Sequence, residues 1–174
     1  MKTTNYFQRL SQYNCWMNGR LFDLCNSIPD GIRKEDRGAF FRSIHGTLNH
    51  ILLADKLWLG RFKHQPFEYH SLAQELFAEF EELRQEREKT DQEIMDWANS
   101  LTEEQLAAPL RFTSAVKRRE CVYPLWHAAT HFFNHQTHHR GQITTLLSQC
   151  GYDPGVTDLL WLPGTEIEEF SSEH

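Results

Sequence analysis

The stretch PLWHAATHFFNHQTHHRGQITTLLSQ, residues 124–149, decides how this chain is read. Proline suits the first turn of a helix and Gly151 supplies a terminating residue, so a helix is expected from Pro124 to Gln149. Five of the ten histidines of the chain, His127, His131, His135, His138 and His139, fall on this one segment. Helical positions four apart lie about 40° off register and one turn apart, so His135 and His139 can aim their rings at a common point. The drift accumulates along the row: His127 is rotated roughly 120° from His139 and cannot serve the same ion, while His131 is the nearer spare. His138, about 100° round from His139, faces another helix or water.

Outward from this segment the apolar residues keep helical spacing. Tyr6, Phe7, Leu10, Tyr13, Met17, Leu21, Leu24 and Cys25 place one stripe on a helix from about Thr4 to Ser27, which Pro29-Asp30-Gly31 stops. A second helix is expected from about Ser43 to Phe62, through Ile44, Leu48, Ile51, Ala54 and Trp58, with Gly60 and Pro66 marking its end. A third is expected from about Leu72 to Ser100, capped by Ser71, with a polar middle over Glu86 to Gln92 where it could bend. Between Thr102 and the last helix, Arg111-Phe112-Thr113 and Glu120-Cys121-Val122-Tyr123 read either as a short β-hairpin or as a loop. Four amphipathic helices need one another to bury their stripes, so the expected fold is an all-α four-helix bundle, with room for that hairpin before the last long helix. One domain is expected over residues 1–165, with Asp158-Leu159-Leu160-Trp161-Leu162 packing back on the bundle, and an acidic flexible tail over 166–174.

Composition narrows the function. A net charge of -6, with Lys117-Arg118-Arg119 the one short basic patch, argues against a nucleic-acid partner, which would need clustered cations. No apolar run approaches the roughly 18 residues of a membrane span, so no membrane partner is expected. The first residues, MKTTNYFQRLSQYN, lack the apolar core and small-residue cleavage site of a secretion signal, and the cytoplasm is the expected location. Cys15, Cys25, Cys121 and Cys150 form no CxxC pair, so they read as reduced, mostly buried thiols.

A catalytic zinc-type site ordinarily takes three protein ligands and leaves one position open. His50 is the best third candidate because it sits mid-helix in LNHILLADKLWL, whereas His45, His64 and His70 lie near helix ends or in loops. Spacing alone leaves two readings open, a metal site and a set of hydrogen-bonded, half-buried histidines. No glutamate follows the first histidine of the HxxxH pair, so the zinc-protease arrangement with its built-in base is absent.

The wording around these residues carries more. NHQTHHRGQITTLL resembles the NHxxHHRGQ signature of the DinB/YfiT-like family, and HGTLNHILLADKLWLGRF is similar to its other hallmark, a histidine followed about eight residues later by tryptophan, here His50 and Trp58. YNCWMNGRLFDL, with Tyr13, Asn14, Trp16 and Asn18, resembles its opening helix, and the likeness extends to the tail DLLWLPG. The resemblance implies a four-helix bundle and a metal site on His50, His135 and His139. Some members of that family are transferases or isomerases that use a low-molecular-weight thiol, and many have no assigned reaction.

Three neutral imidazoles leave a divalent ion its full charge, enough to activate a thiol or a water. The expected cofactor is zinc or nickel, with iron as a further option. The expected function is a metal-dependent thiol S-transferase acting on a small molecule; a metal-dependent hydrolase and a non-catalytic, metal-bound interaction module are the alternatives. A homodimer is the expected assembly. Asn134, Arg140 and Gln142 flank the paired histidines, and either orient an imidazole or make ordinary packing hydrogen bonds; Asp55 and Trp58 are similarly open.

Overall fold

A computed structural model describes residues 2–114 and 116–166. The chain is mostly helical: among the described residues there are six α-helices and one two-stranded antiparallel sheet. Helix α1, Thr3–Asn26, buries Phe7, Tyr13, Met17, Leu21 and Cys25 of the expected stripe and Phe22 besides, while Tyr6 faces solvent. Pro29 opens a second, short helix, α2, Asp30–Lys34. From it Arg33 reaches back to donate to the carbonyl oxygen of Cys25, in the last turn of α1, and to that of Ile28 just beyond it.

Helix α3, Ile44–Phe62, is capped by Ser43, whose hydroxyl accepts from the Gly46 amide at 3.0 Å. It is buried on nearly every side, as expected of a helix that is apolar almost all round. Helix α4 runs Phe80–Ser100 and α5 Glu103–Ala107, the latter opened by a capping box between Thr102 and Gln105. Strands β1, Pro109–Ser114, and β2, Arg119–Pro124, form the hairpin, pairing Phe112 with Cys121 and Leu110 with Tyr123. Helix α6 runs Leu125–Gln149, with Pro124 as its N-cap and Gly151 at φ 83° just beyond its end. Among the four long helices, α1 packs on α4 and α6, and α3 packs on the same two. No described helix is long and apolar enough to cross a membrane.

Two expectations need correction. The third long helix does not start near Leu72: residues 72–79 are non-helical and it begins at Phe80. Ser71 does not cap a helix; its hydroxyl accepts from the Ala73 amide within a local turn. The segment instead hangs its backbone on Asn49, whose Oδ1 accepts from the amides of Leu76 at 2.8 Å and Phe77 at 3.0 Å. The Asn49 Nδ2 in turn donates to the Phe77 carbonyl at 3.1 Å. An apolar pattern suited to a helix is thus overridden by a buried amide that claims the peptide groups a helix would need. Second, Leu162 does pack into the core, but Leu160 and Trp161 remain 72% and 54% exposed, so the tail segment contributes one anchor rather than a packed face. Residues 167–174, most of the expected acidic tail, lie outside the described residues. All four cysteines are free thiols, Cys25 and Cys121 buried and Cys15 and Cys150 half-buried.

The core carries a charged band. Asp55 of α3 accepts from Arg87 of α4 at 2.6 Å and from Gln136 of α6 at 2.9 Å. Asp91 of α4 accepts from Asn14 and Asn18 of α1 at 3.0 and 2.8 Å, and pairs with Arg87 at 2.9 Å. Arg140 of α6 completes the set by donating to Asn14. Burial pushes the Asp55 carboxyl up and that of Asp91 up to about 6, against the pull of Arg87. Charges this deep persist only when each has a partner, so the band fixes how all four long helices are rotated against one another.

Candidate metal centre

The rotation of α6 decides what its histidines face. Gln136 and Arg140 are held inward by Asp55 and Asn14, and the residue before each, about 100° round the helix, is His135 and His139. That turns both imidazoles towards α3, where His50 stands. One nitrogen from each of His50, His135 and His139 lies within 4.8 Å of the others. The structure brings all three candidate ligands together, two of them buried and His135 half-buried.

Their tautomers follow from their neighbours. Nδ1 of His50 lies 2.8 Å from the Leu72 carbonyl oxygen, which can only accept, so Nδ1 carries the proton and Nε2 keeps a lone pair. Asn49, by hanging residues 76–77 on α3, helps keep that carbonyl in place. Nδ1 of His139 donates to Gln142 Oε1 at 2.7 Å, leaving its Nε2 to face Nε2 of His135 at 3.1 Å. His135 Nδ1 is buried without a partner among the described residues.

The donor set fits a divalent cation. Two imidazole nitrogens at 3.1 Å need a proton or a cation between them, and ligand nitrogens of a tetrahedral zinc ion stand roughly 3.3 Å apart. Burial pushes His50 down to about 4 and His135 down to about 3, with the neighbouring imidazoles adding to both shifts; burial also lowers His139. All three rings are therefore neutral near pH 7, the state a ligand must have. Two of the three also carry the outward hydrogen bond that orients a metal-bound imidazole.

Phe41, from the loop before α3, stacks on His50 with ring centres 3.7 Å apart and meets His139 edge-on at 5.5 Å. On the other side lies a cleft of about 420 Å³ between α3, α6 and the hairpin, onto which His50 and His135 open. Trp58, Phe112 and Tyr123 form much of its wall. His131 also lines it, its ring 5.2 Å from that of Trp58 and its pKa lowered by burial, then by His127 and Arg61. His45 is not part of the cluster: it is buried and its Nε2 hydrogen-bonds the Phe77 carbonyl at 2.9 Å. His138 is exposed.

Of the flanking residues, Gln142 orients His139, whereas Arg140 and Asp55 belong to the buried band. Asn49, Phe41 and Arg61, which shape the site and its cleft, carry no metal-ligand signature. Only Arg61 could have been found from spacing, since it follows Trp58 by three positions on one helix face.

Comparison with known proteins agrees over nearly the whole chain. A model of the DinB family matches residues 1–170. Protein DinB of Bacillus subtilis (strain 168) is 31% identical over 175 aligned positions, which cover 92% of this chain and 96% of that protein.

Proposed function

The chain belongs to the DinB family, and on that premise we propose that His50, His135 and His139 hold one divalent ion, zinc or nickel with iron as a further option, in a metal-dependent enzyme. The reading adopted is thiol S-transfer to a small electrophile, carried out by one domain over residues 1–165 whose four long helices form a four-helix bundle. A divalent ion on three neutral imidazoles supplies Lewis-acid chemistry, drawing a thiol or water proton off near neutral pH.

The observation that carries the proposal is the pairing of the two Nε2 atoms 3.1 Å apart with a cleft opening beside them. A purely structural metal would have no use for that opening, because structural sites are closed by a fourth protein ligand. The residues divide the work. Gln142 and the Leu72 carbonyl fix the tautomers of His139 and His50, and Phe41 covers the ring face of His50 against water. Trp58, Phe112 and Tyr123 give an apolar wall against which an electrophile can lie. His131, unligated and facing the cleft, is placed to accept or return a proton.

The test is an assay of metal-loaded protein with cysteine, coenzyme A and a sugar thiol against chlorodinitrobenzene and monochlorobimane. Turnover well above the uncatalysed rate, lost in His135→Ala, supports the proposal. Background rates with every thiol, at full metal occupancy, reject transfer; hydrolysis of an activated ester under the same conditions would then favour the hydrolase reading. A homodimer in the cytoplasm is part of the proposal, and light scattering on the purified protein decides the oligomer.

A further inference from the structure

The cleft differs in charge from the rest of the molecule. The chain carries a net charge of -6, yet among the described residues no aspartate or glutamate lines the cleft, whereas Arg61 and Lys117 both do. The Arg61 guanidinium is held in the corner of two rings, 4.5 Å from the centre of Trp58 and 4.6 Å from that of Phe112. The two ring centres are themselves 5.2 Å apart at an interplanar angle of 69°, so together they form a corner that holds the guanidinium by cation–π attraction and leaves its remaining N–H groups free to bind. Among the described residues those groups have no partner: Arg61 makes no side-chain hydrogen bond and no ion pair, in contrast to Arg33, Arg84, Arg87 and Arg140. A half-buried cation, held against two aromatic rings and matched by no acid among the described residues, is a preorganised anion site.

We propose that Arg61, with Lys117 at the rim, binds the carboxylate of a substrate whose apolar body lies along Trp58, Phe112 and Tyr123 and whose other end reaches His50 and His135. The planar fork matches a carboxylate edge-on through two parallel hydrogen bonds. The substrate class is thus a small carboxylic acid with an apolar or aromatic body, rather than a neutral molecule. Assignment of that acid as a substrate rests on the metal-centre reading above; the binding of the anion does not.

The experiment separates the two. Binding of 4-phenylbutyrate and of its neutral amide, 4-phenylbutanamide, is measured by calorimetry on metal-loaded wild type, on Arg61→Gln, Arg61→Lys and Lys117→Gln, and on His135→Ala. In wild type the carboxylate should bind roughly ten-fold or more tighter than the amide, the range expected of a charge-assisted pair. Arg61→Gln should erase that preference while leaving amide binding unchanged, which also reports an intact cleft. Arg61→Lys, which keeps the charge but loses the fork, should retain part of it, and Lys117→Gln should lose less than Arg61→Gln. His135→Ala should keep the preference, because the anion is held at the Arg61 end. Equal affinities for acid and amide in wild type overturn the proposal. So does a preference that survives Arg61→Gln but vanishes in His135→Ala, since the carboxylate would then sit on the metal.

Discussion

Asn49→Ala is the perturbation whose consequence is best worked from the structure. Asn49 is 1% exposed and its side chain makes four hydrogen bonds, two accepted from the Leu76 and Phe77 amides and two donated to the Phe77 and His45 carbonyls. The His45 carbonyl keeps its helical partner and the Phe77 carbonyl keeps His45 Nε2, so the main loss is two amides with no acceptor. Each orphaned buried group costs about 1–3 kcal/mol, less whatever water recovers once the segment lifts. A net loss of about 3 kcal/mol corresponds to a melting temperature lower by roughly 6–12 °C for a chain of this size. The damage should extend to the metal, because lifting residues 63–79 withdraws the Leu72 carbonyl from His50 Nδ1. Loss of such an orienting bond weakens metal affinity by roughly 10–100-fold. Thermal unfolding followed by circular dichroism, with a competition titration against a chromophoric chelator, reads both effects. A variant that melts within a degree of wild type and holds metal equally well refutes the reasoning.

Three further outcomes follow from the same geometry. Gln142→Leu should weaken metal binding by roughly 10–100-fold with little change in the melting of the metal-free protein, because Gln142 touches His139 and is only half-buried; equal affinity in the chelator titration counts against its orienting role. Arg87→Met leaves the Asp55 and Asp91 carboxylates buried with their principal cation gone and should cost about 3–5 kcal/mol in urea unfolding, with part recovered on adding Asp55→Asn. Gly46→Ala places a methyl 2.2 Å from the Phe41 carbonyl oxygen, a backbone contact that cannot relax without moving the loop that covers His50; a loss of about 1–3 kcal/mol is expected from thermal or urea unfolding.

How far the sequence could be read depended on where the information lay. The apolar stripes of α1 and α3 were legible because the same residues that face the core repeat at three and four, and α6 because Pro124 and Gly151 bound it, whereas the hairpin was one of two open readings, since short strand-forming runs around Phe112 and Cys121 fit a loop as well. His135 and His139 were legible as a pair from helix geometry, and His50 became specific through the family resemblance around it. The region from Leu72 to Glu79 misled because its apolar spacing imitates a helix, and nothing local announces that Asn49, 27 residues earlier than Leu76, will capture its amides. Phe41 was invisible as a site residue for the same reason, and Arg61 had only its three-residue spacing from Trp58 to mark it: their roles come from a loop folding over α3 and from a hairpin ring approaching Trp58, contacts that exist only in three dimensions. The buried band was half visible, since Asn14 and Asn18 were named through the family resemblance and Asp55 and Arg140 were left open between two roles, without their partners being evident.

The central claim is that three imidazoles hold one ion. Elemental analysis of untagged protein after incubation with zinc or nickel and gel filtration tests it most directly, alongside His50→Ala, His135→Ala and His139→Ala. The account predicts close to one bound ion per chain in the wild type and a large loss in each variant, with the helical circular dichroism spectrum retained. Wild-type protein that leaves the column without metal, or three variants that carry as much as the wild type, would contradict it.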